Sequence, residues 1–387
     1  MKAVLSFPGC HRRAGVERIM FECARHLASQ GHDVTVFANE WEEDDTQHIK
    51  YHYVPMQKQP FFLAGTSYFR ECTKALRDAE YDVLNTHGSI CPLGGVQWVQ
   101  SIQRAWLEQS KKMRSPLSLS RIRQQLNPLH PVLLGLEDRH FRERNYQKLI
   151  ATTPQVKADL NRLYGVPEED VVIIPNGFSP TEFNPKRRAE RRQASREQLG
   201  LKPNHVALLF VANELERKGY HTILAALSLL KGTPEGKNLR LLVVGRPAKQ
   251  LVLQHAAELS LEDQVISCGT TQDVSAFHAA SDLFVLPTQY EAFCLAILEA
   301  LGSGLPVVTT KVPGAQDAIR PGENGFLIDD PHNGEHLASI LKLLSDDGKR
   351  AEISNQAPGT VEEYQWPRVL SRYESVLCQY ANAVSRS

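Results

Sequence analysis

Short apolar runs that stop at turn-forming or polar residues alternate along this chain with longer stretches in which apolar positions recur every three or four residues. The first run, Ala3 to Phe7, ends in Pro8-Gly9. Beyond a polar loop, Val16, Ile19, Met20, Cys23 and Leu27 fall at the spacing of one helix face. Gly31-His32-Asp33 breaks that helix, and Val34 to Ala38 predicts the next strand. Strand, helix and strand in this order suit a parallel sheet. Tyr81 to His87 predicts a further strand ending in the polar Asn85-Thr86-His87, and open α/β sheets bind ligands at such carboxyl ends.

A second series follows the stretch Val171 to Gly177. Strands are predicted at Ala207 to Val211, Leu239 to Val244, Leu283 to Leu286 and Pro306 to Thr309, with helical stretches between them. The expected fold class is therefore α/β, with two Rossmann-like doubly wound domains facing across a cleft, the first over residues 1–174 and the second over 175–366. Length agrees, since 387 residues exceed what one hydrophobic core ordinarily organises. Residues Phe178 to Gly200 read as an exposed connection and an entering helix, the run Lys186 to Arg192 being a solvated face. A last helical pattern, Val369, Tyr373, Val376, Leu377, Tyr380, occupies 367–387.

Charge narrows the partners. Lys+Arg and Asp+Glu balance at 44 each, so no global field favours a nucleic acid. Locally, 104–148 holds ten Lys/Arg against four Asp/Glu and is broken at Pro116, Pro128 and Pro131. Ordinary polar surface helices have this composition, and so does a basic, partly apolar surface for an anionic acceptor or a membrane. Seven scattered cysteines read as reduced thiols, and no signal peptide or eighteen-residue apolar run is visible. A cytoplasmic protein is expected, attached at most peripherally to the inner face of a membrane. Asp44-Asp45, Asp329-Asp330 and Asp346-Asp347 lie in polar loops and no Asp-x-Asp follows a buried strand, so neither a metal nor another cofactor is expected.

The candidate chemistry concentrates in two stretches. In the first, Glu291-Ala292-Phe293-Cys294-Leu295 follows the strand Leu283 to Leu286 and the turn Pro287-Thr288-Gln289-Tyr290, predicting a helix that starts just after Glu291. The free amides and positive end of such a helix suit a diphosphate. Glu299, eight positions on, would then lie about 12 Å further along the helix axis and within about 80° of the same face. In an apolar helix its carboxylate needs hydrogen-bond donors, and ribose hydroxyls or a structural ion pair would supply them. Cys294 at a helix start is a possible activated thiol, although no histidine lies nearby in sequence. In the second stretch, Phe210 to Gly219, the adjacent cations Arg217 and Lys218 after a strand suit a diphosphate leaving group, or form a solvated pair. The loop Gly9 to Glu17 is not the Gly-x-Gly-x-x-Gly of dinucleotide enzymes, which argues against a dehydrogenase.

Two glutamates at this spacing, followed by a small-residue turn and Pro306-Val307-Val308, resemble the signature of the family 4 glycosyltransferases of the GT-B class, and the resemblance runs over nearly the whole chain. It implies retaining transfer of a hexose from a nucleoside diphosphate sugar to a saccharide or lipid-linked acceptor in cell-surface polysaccharide synthesis. Glu291 would contact donor-sugar hydroxyls, Glu299 the ribose, and the backbone of Ala292, Phe293, Cys294 and Leu295 the donor. Family members often have glycine at the positions of Ala292 and Cys294. Asn213 stands where they commonly have arginine, and the adjacent Arg217-Lys218 resembles the lipopolysaccharide-core glucosyltransferases, favouring UDP-glucose. Ala14-Gly15 keeps the second glycine of a common Gly-Gly, so Gly15 would approach the donor phosphates or merely begin a helix. His87 matches the second histidine of a common His-x-His that reaches the donor sugar. Gly245 follows a strand and is a further donor-binding candidate, Thr270 and Thr271 lie where relatives hold the base, and the helix 367–387 would pack back on the first domain. A nucleotide-sugar epimerase and an inactive nucleotide-sugar-binding protein are the alternatives.

Overall fold

The computed structural model describes residues 1–13, 15–43, 49–113, 124 and 126–384. Ala14, Asp44-Asp45 and part of the basic 104–148 stretch (114–123 and 125) therefore lie outside the described residues. The chain divides into two compact units, Met1–Asn176 with Trp366–Ser387, and Gly177–Gln365.

In the first unit the strands are β1 (Lys2–Ser6), β2 (Gly9–Cys10), β3 (Asp33–Ala38), β4 (Glu40–Trp41), β5 (Ile49–Tyr53), β6 (Val83–Thr86), β7 (Val96–Val99), β8 (Lys148–Ala151) and β9 (Val171–Ile173). Seven form one sheet in the order β5-β3-β1-β6-β7-β8-β9, every pair parallel. The chain winds outward from β1 through β3 to β5, then returns to β6 and winds the other way. The order thus reverses between β1 and β6, and ligands of doubly wound sheets bind beyond the carboxyl ends of the two strands at such a point. β5, β7 and β8 escape the apolar-run reading because each is short and mixes polar with apolar residues, as in Ile49-Lys50-Tyr51-His52-Tyr53 and Val96-Gln97-Trp98-Val99.

The helix Gly15–Ser29 buries Ile19, Met20, Cys23 and Leu27, the four residues that its periodicity singles out beyond Val16. The helix Trp366–Val384 buries Val369, Tyr373 and Leu377 and packs on β6 and on Gly15–Ser29 within this unit.

The second unit holds β10 (Val206–Val211), β11 (Leu239–Val244), β12 (Val265–Gly269), β13 (Leu283–Leu286), β14 (Val307–Thr310) and β15 (Gly325–Ile328). They form a parallel sheet in the order β12-β11-β10-β13-β14-β15, reversing between β10 and β13. Strands β10, β11 and β13 are apolar almost throughout because helices cover both faces, as parallel sheets require.

The run Lys186 to Arg192, on the helix Pro185–Gln198, is a solvated face only in part: Lys186, Arg187 and Glu190 are exposed, whereas Arg188 and Arg192 turn inward. Arg188, Arg192 and Arg196, four residues apart, form one stripe. Arg188 donates to Ser281 O at 2.8 Å and Gly304 O at 3.1 Å, and Arg196 to Ala280 O at 3.0 Å and His205 O at 2.8 Å. Arg192 and Arg196 both bind the buried Asp282, which in turn accepts the Ala207 amide at 2.8 Å. Guanidinium groups thus satisfy carbonyls at the amino edge of β10 and β13, where an apolar side chain could not.

Candidate active site

At the carboxyl edge of the second sheet, the loop after β10 and the turn after β13 are fastened together by their backbones. Gln289 N donates to Arg217 O at 2.9 Å, and the Thr288 hydroxyl lies 3.3 Å from the same oxygen. Gly219 sits at φ +85° with Pro287 O only 2.1 Å from where a Cβ would stand, so no other residue permits this approach. The fastening brings three charged groups together. Arg217 Nη1 lies 2.8 Å from Tyr290 O and 3.1 Å from Glu291 Oε1, and Lys218 Nζ donates to the same Oε1. Thr288 Oγ1 donates to it at 3.2 Å, while Arg217 Nε holds Glu214 at 3.1 Å. Burial works to lower the Lys218 pKa, but the neighbouring Cys294 and Glu291 outweigh it and hold the ammonium above its ordinary value. Sequence reasoning missed Thr288, and only its place in a Pro-Thr turn at a strand end marks it.

The helix expected just after Glu291 begins instead at Leu295 and runs to Gly302. Cys294 is its N-cap with extended backbone, φ −104° and ψ 106°. Phe293 packs against Gly314, whose Cβ would come within 2.9 Å of the ring, and lies 6.4 Å from the Tyr364 ring. That packing site holds Phe293 outside the helix. The two glutamates therefore do not share a helix: Glu291 precedes it and Glu299, buried, lies inside it. Burial pushes the Cys294 thiol up to about 11, which keeps it protonated and removes the activated-thiol reading.

The same edge carries the remaining second-unit candidates. Gly245, at φ +143°, has Ala212 O 1.9 Å from a notional Cβ, and its amide donates to Gly269 O at 2.8 Å. Asn213 Oδ1 accepts the Arg246 amide at 3.3 Å. Thr270 and Thr271 are exposed just beyond β12, Thr271 Oγ1 accepting from Asp273 N at 2.9 Å. Loops after β10, β11, β12 and β13 thus present Asn213, Arg217, Lys218, Gly245, Thr270, Thr271 and Glu291–Leu295 along one rim. A cavity of about 550 Å³ lies instead at the amino edge of the sheet, among Arg192, His205, Asp282 and Arg350, and contains none of these residues.

In the first unit His87 follows β6 at the reversal point. It is 1% exposed, and neither ring nitrogen has a hydrogen-bond partner among the described residues. Its ring lies 6.0 Å from Trp98, which stacks on Tyr373 at 5.2 Å. Burial lowers its pKa to about 3, so the imidazole is neutral near pH 7. Gly15 opens the helix Gly15–Ser29, and, its chain neighbours and own helix backbone aside, no atom of the described residues lies within 4 Å of a notional Cβ there. Gln97, Trp98 and Thr152, which carry no sequence signal beyond short strands, are buried near this edge with side-chain polar atoms lacking partners among the described residues. Arg104, within the basic stretch, is tied to Asp138 at 3.3 Å and lies over the Tyr164 ring at 5.2 Å. Among the described residues no helix is long and apolar enough to cross a membrane.

Known proteins share both halves of this arrangement. The family described as "Glycosyltransferase Family 4" matches residues 13–182, and that described as "Glycosyl transferases group 1" matches 191–360. A D-inositol 3-phosphate glycosyltransferase of Rhodococcus erythropolis is 27% identical over 252 residues, 62% of this chain and 56% of that protein. The chain thus spans about half the length of the first curated relatives it matches. The lipopolysaccharide glucosyltransferase WaaG of Escherichia coli is 26% identical over 91% of this chain and 93% of its own. A crystal structure of WaaG superposes with a TM-score of 0.81 at 23% identity, covering 97% of this chain and 99% of that one. Anabaena HepE in complex with UDP and glucose gives 0.71 at 21% identity, covering 98% and 99%. With a matching family over each unit and the fold shared end to end, the chain belongs to the family 4 glycosyltransferases and has the GT-B fold.

Proposed function

We propose that the protein transfers a hexose, with UDP-glucose as the favoured donor, to a hydroxyl of a saccharide or glycolipid acceptor in cell-surface polysaccharide synthesis, retaining the anomeric configuration and using no metal. The observation that carries this reading is the meeting of Arg217, Lys218 and Glu291 at the strand-order reversal of the second sheet. Two cations share one carboxylate oxygen there, so a diphosphate, with more charge and more oxygens, exchanges readily for Glu291. Glu291, released, accepts hydroxyls of the sugar. Charge growing on the departing diphosphate is met by Arg217, Lys218 and the amides that open the helix Leu295–Gly302, which lowers the barrier because those groups are already in place. Glu299 takes the ribose, and Asn213, Gly245, Thr270 and Thr271 border the base and phosphates. Gly15, open on its Cα side, admits a phosphate to the backbone, and His87, neutral, offers the sugar a hydrogen bond rather than a charge. An oxygen of the leaving diphosphate takes the acceptor's proton as the acceptor attacks the same face.

Relatives support the donor: one structural neighbour carries UDP and glucose and another is a lipopolysaccharide glucosyltransferase. The basic 104–148 stretch suits an anionic acceptor or the membrane bearing it, and co-sedimentation with anionic vesicles tests that. For the donor, UDP-, GDP- and ADP-sugars are screened for thermal stabilisation and slow hydrolysis. UDP-glucose is expected to lead, with hydrolysis lost in Glu291→Ala and Lys218→Ala. Equal hydrolysis by both variants and the parent overturns the site.

A further inference from the structure

Apart from the residues assigned above, the last helix meets the helix Gly15–Ser29 and the start of β3 through a cluster of imidazole, carboxylate and thiol. Glu374 and Cys378 stand one turn apart on Trp366–Val384 and so share a face. His32 enters β3, and His26 lies in the last turn of Gly15–Ser29. His32 Nε2 is 2.8 Å from Glu374 Oε1, and His26 Nε2 is 2.9 Å from Oε2. One ligand atom each from His32, Glu374 and Cys378 lies within 4.8 Å of the other two. All are half-buried, the histidine side chains 14% and 15% exposed.

We infer that His32, Glu374 and Cys378 form a binding site for a borderline-soft divalent cation, Zn²⁺ foremost. The donor set selects the metal: thiolate and imidazole disfavour Mg²⁺ and Ca²⁺, whereas nitrogen, oxygen and sulfur together are ordinary zinc ligands. Nitrogen and oxygen ligands about 2.0–2.1 Å from a tetrahedral zinc stand roughly 3.3 Å apart, and a sulfur about 2.3 Å from it stands roughly 3.6 Å from each. The present nitrogen–oxygen contact of 2.8 Å must therefore open slightly, and the Cys378 sulfur, within 4.8 Å of both, must close in, for the ion to replace the shared proton. His26, on the other carboxylate oxygen, fixes the direction in which Oε1 points, the kind of outer support that metal ligands ordinarily have. Binding releases the Cys378 proton, and any proton shared between His32 and Glu374, to solvent. The ion staples the last helix to the edge of the first unit next to Tyr373, which touches Asn85 and Trp98.

Co²⁺ titrated into the full-length protein serves as the probe, with Zn²⁺ in parallel melts. The parent is expected to gain a thiolate-to-cobalt charge-transfer band saturating at one equivalent. Cys378→Ser should lose that band while keeping the His–Glu pairs and the fold. His32→Ala and Glu374→Gln should lower its affinity at least tenfold. Zn²⁺ should raise the parent Tm by about 5 °C at saturating excess and leave Cys378→Ser unmoved. No band in the parent, a band that survives Cys378→Ser, or an equal Tm rise in both proteins overturns the site. The last of these outcomes marks adventitious binding at exposed histidines.

Discussion

The two sheets are built alike, yet their carboxyl edges solve opposite problems. Beside β10 and β13 the charged side chains are bonded to one another: Arg217, Lys218 and Thr288 all reach Glu291 Oε1, and three glycines hold the surrounding loops at distances no Cβ would allow. Beside β6 and β7 the polar side chains of His87, Gln97 and Trp98 are buried, and their ring and amide nitrogens have no partners among the described residues. A bonded edge is ordered by its own contacts, and on the proposed function a bound diphosphate would displace Glu291 from its cations. An unbonded, buried edge spends stability to keep donors and acceptors uncommitted, since an unpaired buried polar group costs about 1–3 kcal/mol. Charged groups already paired suit charge stabilisation, and buried uncommitted donors and acceptors suit recognition of hydroxyls.

The largest test of that contrast is catalytic. On the proposed function Lys218→Ala removes a cation that would meet the leaving group, and kcat is expected to fall about 10²–10³-fold, or about 3–4 kcal/mol of transition-state stabilisation. His87→Ala removes only a neutral imidazole and should cost about tenfold, a charge-free hydrogen bond contributing roughly 1 kcal/mol. Initial rates with the best donor decide it. Equal losses would break the distinction between the edges.

Next comes a pair of glycines. Gly245→Ala forces a Cβ to 1.9 Å from Ala212 O at φ +143° and should destabilise the second unit by about 3 kcal/mol. Gly15→Ala, its chain neighbours and own helix backbone aside, meets no atom of the described residues within 4 Å, so its stability should change by no more than about 0.5 kcal/mol while the donor KM rises. Urea denaturation and donor saturation curves separate the two effects. An unchanged KM would reduce Gly15 to a helix start.

The same contrast explains what the sequence discloses. Arg217, Lys218 and Glu291 are legible because charges between an apolar run and a helical pattern have little structural use elsewhere. Thr288 is not, since a threonine in a turn is ordinary until its hydroxyl is seen to point at Glu291. The helix start is misread by three residues because Ala292, Phe293 and Cys294 are as apolar as the helix that follows, and only the distant Gly314 and Tyr364 draw Phe293 out of it. Arg188, Arg192 and Arg196 mislead for the converse reason: charge predicts solvent unless carbonyls at strand ends need donors. Gln97 and Thr152 stay hidden because their strands are short and one of them ends the basic stretch.

Acid should weaken both units as pH falls below 6.5, since burial lowers His205 and His221 in the second unit as well, but the loss should be steepest in the first. Burial lowers His87 to about 3 and His140 to about 4, below the ordinary 6.5. Below pH 6.5 the unfolded chain therefore takes up protons that the folded unit refuses. Stability contributed by these neutral rings is full above that pH and falls as pH drops toward 4, at up to about 1.4 kcal/mol per pH unit for each ring. In the second unit Arg191 holds Asp273 at about 2, so that contribution persists until pH falls below the ordinary 3.8. All four tryptophans, Trp41, Trp98, Trp106 and Trp366, belong to the first unit, so their fluorescence follows it alone. His87→Asn should flatten the loss between pH 7 and 5, and an unchanged slope would mean that His87 titrates as it does in water.

Tyr373 donates to Asn85 Oδ1 at 2.8 Å, Asn85 Nδ2 donates to Val96 O at 2.9 Å, and the Tyr373 ring carries Trp98, which borders His87. Tyr373→Phe keeps the stack and deletes the hydroxyl, leaving Asn85 Oδ1 short of a donor, so the first unit should lose about 1 kcal/mol by urea midpoint. If the ring stack alone positions His87, kcat and KM stay at parent values while the midpoint moves. A fall in kcat at unchanged KM would instead show that the hydroxyl fixes Asn85 and, through β6, the histidine that follows it, and the first edge would then be as tightly wired as the second.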